Sequence, residues 1–136
     1  MSQISDIKDA LAANLKTGVS GVQVLGYVRD QVTPPAADIR RGTLDYDQAL
    51  NGGVTHLTML IRVFVAGVTD KGSQQRLDAY LAPAGDESVK AAIESDTTLG
   101  GLIQDLHVTQ ATGEQTYTMN DNTQMIGSEW TVELWL

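Results

Sequence analysis

The chain has 136 residues, a formal net charge of −8 and no cysteine. That fits one domain with a core of its own and excludes disulfide frameworks and thiolate chemistry. No run approaches the roughly 18 apolar residues of a membrane span, and the charged N-terminal stretch MSQISDIKDA reads as helix rather than signal peptide, so a cytoplasmic protein is expected.

In chain order, residues 3 to 16 predict a helix. Ser2 is its expected N-cap, Ile4, Ile7, Leu11 and Leu15 form its core stripe, and Gly18 stands where a left-handed C-terminal residue is expected. Val22 to Val28 is a short apolar strand, stopped by Thr33-Pro34-Pro35. Asp38 to Arg41 is a weaker strand signal. Gly42 to Gly53 has no clear period and reads as a loop, either mobile or a partner-binding arm. Val54 to Ala66 then alternates strictly: Leu57, Met59, Ile61, Val63 and Val65 point one way, while His56, Thr58, Leu60, Arg62 and Phe64 point the other. A period of two over a dozen residues is a strand with one dry face.

The remainder is material to pack on that strand. Leu77, Tyr80 and Leu81 mark a helix ending at Pro83, and Asp86 and Glu87 open another whose buried face is Val89, Ala92 and Ile93. After the turn 97–101 come strands at 102–110, 115–119 and about 125–136. In the last, Ile126, Trp130, Val132, Leu134 and Leu136 share one face, and Glu129, Thr131, Glu133 and Trp135 the other. Asn120-Asp121-Asn122 is hairpin turn material. The expected fold is α+β: a single domain over 1–136 with a central, mostly antiparallel sheet and about three helices packed on it.

Charge is unevenly placed. Ten acids and nine bases share the first ninety residues, whereas no Lys or Arg follows Lys90 and seven acids do. The late strands therefore form either a solvated face or an acidic surface presented to something, and tight nucleic-acid binding is disfavoured because phosphate neutralisation needs clustered bases. The two histidines, His56 and His107, lack metal-ligand spacing, although Asp105 and His107 share a strand face. No serine sits in a nucleophile elbow, and the pairs Gly52-Gly53 and Gly100-Gly101 are not phosphate loops. Asp45/Asp47 and Asp86/Glu87 read as solvated turn residues rather than cation ligands. No catalytic, cofactor or metal site is expected. Tyr46 in the loop and Trp135 on the polar strand face are the candidates for contact with a partner.

The segments QRLDAYLAPAGDESVKAAIESDTTLGG (75–101), VTQATG (108–113) and SEWTVELWL (128–136) come in that order. Together with PPAA (34–37), LDYD (44–47) and Arg62 on the strand before the Leu-Asp-Ala-Tyr-Leu helix, they resemble the tail terminator proteins of long-tailed, non-contractile bacteriophages, particularly those of actinobacterial hosts. The resemblance covers most of the chain and is strongest from about residue 54 onward. It implies a non-enzymatic virion protein, without cofactor, that forms a homo-oligomeric ring, expected to be a hexamer. Such a ring caps the tail tube, ends its polymerisation and meets the head-closure or neck protein, and DNA passes through it without specific binding. The expected location is the head-proximal end of the virion tail, reached by assembly in the host cytoplasm.

A ring needs unlike, head-to-tail surfaces. The early bases and late acids supply them, with acids of the last strands or of the 42–53 loop expected to line the channel. The residues expected at interfaces are Arg40, Arg41, Leu44, Asp45, Tyr46, Asp47, Arg62, Glu129, Glu133 and Trp135. Two alternatives stand beside this reading: a head-closure or tail-tube subunit of the same virion, and a monomeric protein-binding module.

Overall fold

A computed structural model describes residues 3–19, 22–25, 36–46, 55–66, 71–112, 115–118 and 124–136. Helix α1 (Gln3–Gly18) leads into strands β1 (Gln23–Leu25), β2 (Ala36–Asp45) and β3 (His56–Ala66). Helices α2 (Lys71–Leu81) and α3 (Val89–Ile93) follow, then a 3-10 turn at Leu99–Gly101 and strands β4 (Asp105–Ala111), β5 (Gln115–Thr118) and β6 (Gln124–Trp135). The fold is α+β. The sheet runs β1-β2-β3-β6-β4, with β5 also paired to β6, and every pairing is antiparallel except β1 with β2.

The alternation of β3 decides the layering. Leu57, Met59, Ile61, Val63 and Val65 join Ile126, Trp130, Val132 and Leu134 of β6 in one buried cluster with Ile7, Leu11 and Leu15 of α1, Leu77 and Tyr80 of α2, and Val89 and Ile93 of α3. The helices thus cover one face of the sheet, which suits an antiparallel sheet with a single apolar side. The opposite, outer face carries His56, Leu60, Arg62 and Phe64 from β3 and Gly127, Glu129, Thr131, Glu133 and Trp135 from β6, in direct register.

Three sequence expectations change here. Helix α1 runs two residues past 16, and Gly18 does not adopt a left-handed backbone; a Cβ there would lie 2.5 Å from the Cβ of Ala92, so the glycine lets α1 and α3 approach. The expected loop 42–53 begins instead as strand, because β2 continues through a register shift between Arg41 and Leu44 to pair Asp45 with His56. That bulge is what breaks the period-two pattern and hides the second half of the strand from sequence reading. The expected strand at 102–110 starts only at Asp105, after the 3-10 turn. The cap expected at Ser2 and the turn at 120–122 lie outside the described residues. Ser88 caps helix α3: its Oγ accepts the Ala91 amide at 3.1 Å and donates to the Ala82 carbonyl at 2.6 Å.

One buried polar atom lacks a partner among the described residues: Ser128 Oγ, on the helix-facing side of β6 opposite Val63. An unpaired buried hydroxyl is a net cost. Ser128→Ala is expected to raise stability by about 1 kcal/mol, or about 3–4 °C in a thermal melt.

Candidate functional site

The outer face is where the sequence-predicted residues converge. At its centre Arg62 is locked: Nε donates to Asp38 Oδ1 at 2.9 Å and Nη2 to Oδ2 at 2.5 Å, the bidentate pairing that a guanidinium fork favours. Asp38 is fully buried, and the Arg62 guanidinium lies 5.1 Å from the Phe64 ring centroid and 5.8 Å from that of Tyr117. Phe64 and Tyr117 meet edge to face, with centroids 4.9 Å apart at 88°. Burial, then the nearby Glu129 carboxylate, push the Tyr117 phenol above its ordinary value. Arg62, expected at an interface, is engaged within its own subunit.

At the end of the sheet where β2 and β6 finish and β3 begins, His56 sits between two acids. Nδ1 is 3.5 Å from Asp45 Oδ2, Nε2 is 3.4 Å from Glu133 Oε1, and the ring lies 5.2 Å from that of Trp135. Three strands are tied together by this contact. Both imidazole nitrogens face carboxylates, so His56 links the strand ends. Among the described residues no cluster of three or more His, Asp or Glu side chains could hold a metal ion.

The remaining expected residues scatter around this centre. Arg40 is half-buried beside Leu60, Arg41 is exposed, and Leu44 is half-buried and packed on the core. Tyr46, just beyond β2, is 70% exposed, the most open large hydrophobic residue among those described. Asp47 lies outside the described residues. Glu129, Glu133 and Trp135 share the outer face of β6, each half-buried. No helix of the described residues is long and apolar enough to cross a membrane.

Two features were missed in the sequence because both depend on register. One is the Asp45–His56–Glu133 cluster. The other is how β4 closes its open edge. Glu94, at the end of α3, accepts the Val108 amide at 3.0 Å, contacts His107 Nδ1 at 3.2 Å and pairs with Lys90, while the Leu106 amide is taken by Asp105 Oδ1 at 2.9 Å. Side chains thus occupy amides that a foreign strand would otherwise bind. Burial raises the Glu94 carboxyl, but its bonds with Lys90 and the Val108 amide outweigh that and hold it below its ordinary value of 4.5. A depressed acid contributes stability above its unfolded pKa and loses that contribution as pH falls through the folded value. The stability gap between the native chain and Glu94→Gln, measured by urea unfolding, is therefore expected to be full at pH 7 and to shrink below pH 4.5.

Beside this edge, between β4 and the ends of α2 and α3, lies a groove of about 170 Å³. Leu81, Pro83, Val108, Ala111 and Trp130 line it together with the polar Lys90, Thr109 and Gln110. No protein family matches the chain, and no curated protein matches it.

Proposed function

We propose that this chain is the subunit of a ring in a bacteriophage tail, a tail terminator that stops tube polymerisation and presents the end of the tail to the neck. The observation that carries the reading is the ordered likeness of residues 75–101, 108–113 and 128–136 to that family. The layout of the domain agrees with it. Among the described residues the helices cover one sheet face, the other face carries half-buried polar and aromatic groups, and the late strands bear acids without bases, Glu129 and Glu133 on β6 and Asp105 on β4, whereas β2 carries Arg40 and Arg41 beside Asp38 and Asp45. Unlike surfaces on opposite sides of one subunit are what a head-to-tail ring requires. The acids of β6 and β4 give a lumen that repels phosphate, letting DNA slide. The domain acts by contact and carries out no reaction.

Deleting the gene from its phage and imaging lysates by negative-stain electron microscopy tests this. Overlong tail tubes beside tailless, DNA-filled heads are the expected result. Tails of normal length left unjoined would move the protein to head closure, and intact infectious particles would end the structural reading.

A further inference from the structure

The groove beside β4 and the tyrosine beyond β2 are complementary, and they sit on opposite sides of the subunit, with β3 and β6 between β2 and β4. Resting on the ring reading above, we propose that Tyr46 of one copy seats in the Leu81–Pro83–Val108–Trp130 groove of the next, with Asp45 reaching the neighbour's Lys90.

Size favours this occupant. An enclosed apolar cavity of about 150 Å³ holds a benzene ring, and this groove, open to solvent and lined by Thr109, Gln110 and Lys90 as well as Leu81, Pro83, Val108, Ala111 and Trp130, offers about 170 Å³, room for a ring. Exposure favours it too. Tyr46 is 70% exposed at the end of a strand, and tyrosine is among the residues enriched at interface hot spots. Charge sets the orientation: Lys90 is the charged side chain among those lining the groove, and Asp45, immediately before Tyr46, is half exposed at 49%. Lys90 pairs with Glu94 in its own chain but is 38% exposed, and an ammonium has three donors, so a second carboxylate can be accepted without breaking the first pair. The blocked β4 edge bears on the mode of contact. With Val108 and Leu106 amides already bonded to Glu94 and Asp105, the edge takes an inserted side chain rather than an added strand. Because donor and acceptor surfaces differ and lie on opposite edges, the contact repeats head to tail, closing a ring rather than a two-fold pair.

The full chain is tested by mass photometry across a concentration series, beside Tyr46→Ala and Tyr46→Phe. Both substitutions are at an exposed position and are expected to leave the fold intact, which far-UV circular dichroism checks. Tyr46→Ala is expected to raise the assembly midpoint about tenfold or more, the effect of losing an aromatic anchor, while Tyr46→Phe assembles nearly as the native chain does. In parallel, p-benzoylphenylalanine at position 46 is photolysed in a mixture of isotopically labelled and unlabelled chains. Cross-links between copies are expected in the peptides holding Leu81, Pro83, Val108 or Trp130. Rings that form equally well with Tyr46→Ala, or cross-links that map to other segments, overturn the contact and leave the ring reading standing. A native chain that stays monomeric at every concentration, alone and with tail tubes, overturns both. Cross-linked species that stop at two copies overturn the head-to-tail arrangement.

Discussion

Arg62→Ala is expected to cost the isolated domain about 3–5 kcal/mol, because it strands the Asp38 carboxylate in a site from which water is excluded. A typical domain of this size has only about 5–15 kcal/mol in hand, so the loss is most or much of the total. The sum of terms is what makes it large. Two charge-assisted hydrogen bonds disappear, and so does the cation packed on Phe64 and Tyr117. A second variant separates the cost of an unpaired charge from the value of the pair itself. Replacing both partners with apolar residues, Asp38→Leu with Arg62→Met, removes the stranded carboxylate and is expected to recover much of the loss, since buried pairs are often matched by hydrophobic replacements. Urea unfolding of the three proteins reads this directly. If Arg62→Ala unfolds at the native midpoint and instead weakens assembly, Arg62 faces a partner and the intrasubunit pair is unimportant.

The fate of Arg62 shows where sequence reading reaches its limit. Alternation along Val54 to Ala66 placed Arg62 and His56 on the outer face, and alternation in the last strand placed Glu129, Glu133 and Trp135 there too. Periodicity fixes which face a residue takes, but it says nothing of which residue lies opposite it on the next strand. By register alone Arg62 stands between Asp38 on β2 and Glu129 on β6, and the fork goes to Asp38. The helix stripe at Ile7, Leu11 and Leu15 and the final apolar row were legible because each repeats several times. Of strand β2 only Asp38 to Arg41 was legible, and weakly, because its bulge at Gly42-Thr43 shifts the phase midway and the flanking Arg40, Arg41 and Asp45 weaken the apolar signal. Gly18 illustrates the same limit for glycine: sequence position suggests a left-handed cap, whereas the neighbour that excludes a side chain, Ala92, is 74 residues away and visible only in the fold.

The outer face shows a division of labour. Its centre is spent on internal stability, with Arg62, Asp38, Phe64 and Tyr117 satisfying one another. The contact proposed above uses Tyr46, which is exposed and can vary without disturbing the core, and a groove by β4 whose Val108 and Trp130 belong to the core and cannot. An interface built on exposed margins and a rigid centre binds with little reorganisation, which favours repeated identical contacts.

Gly127→Ala should be the most damaging of the small substitutions. Gly127 lies opposite Phe64 where β6 meets β3, and a Cβ there would run into the Val63 carbonyl, with the Val63 carbonyl carbon and Tyr117 Cε2 each only 3.2 Å away. A flexible side chain can step aside; a backbone carbonyl in the middle of a ladder cannot. The strands must separate locally, which lifts Tyr117 off Phe64 and loosens the hold of both rings on Arg62. Overpacking costs about 1–3 kcal/mol where side chains can adjust, and more is expected where the obstacle is backbone, so about 3 kcal/mol is the expected loss. Hydrogen exchange should show β5 amides, which pair with Gln124 to Gly127, losing protection first. Combining Gly127→Ala with Tyr117→Ala tells the two obstacles apart. Removing the ring leaves the Val63 carbonyl in place, so the double variant is expected to be no more stable than Gly127→Ala alone, whereas recovery would mean that the tyrosine, and not the strand behind it, is what reserves this position for glycine.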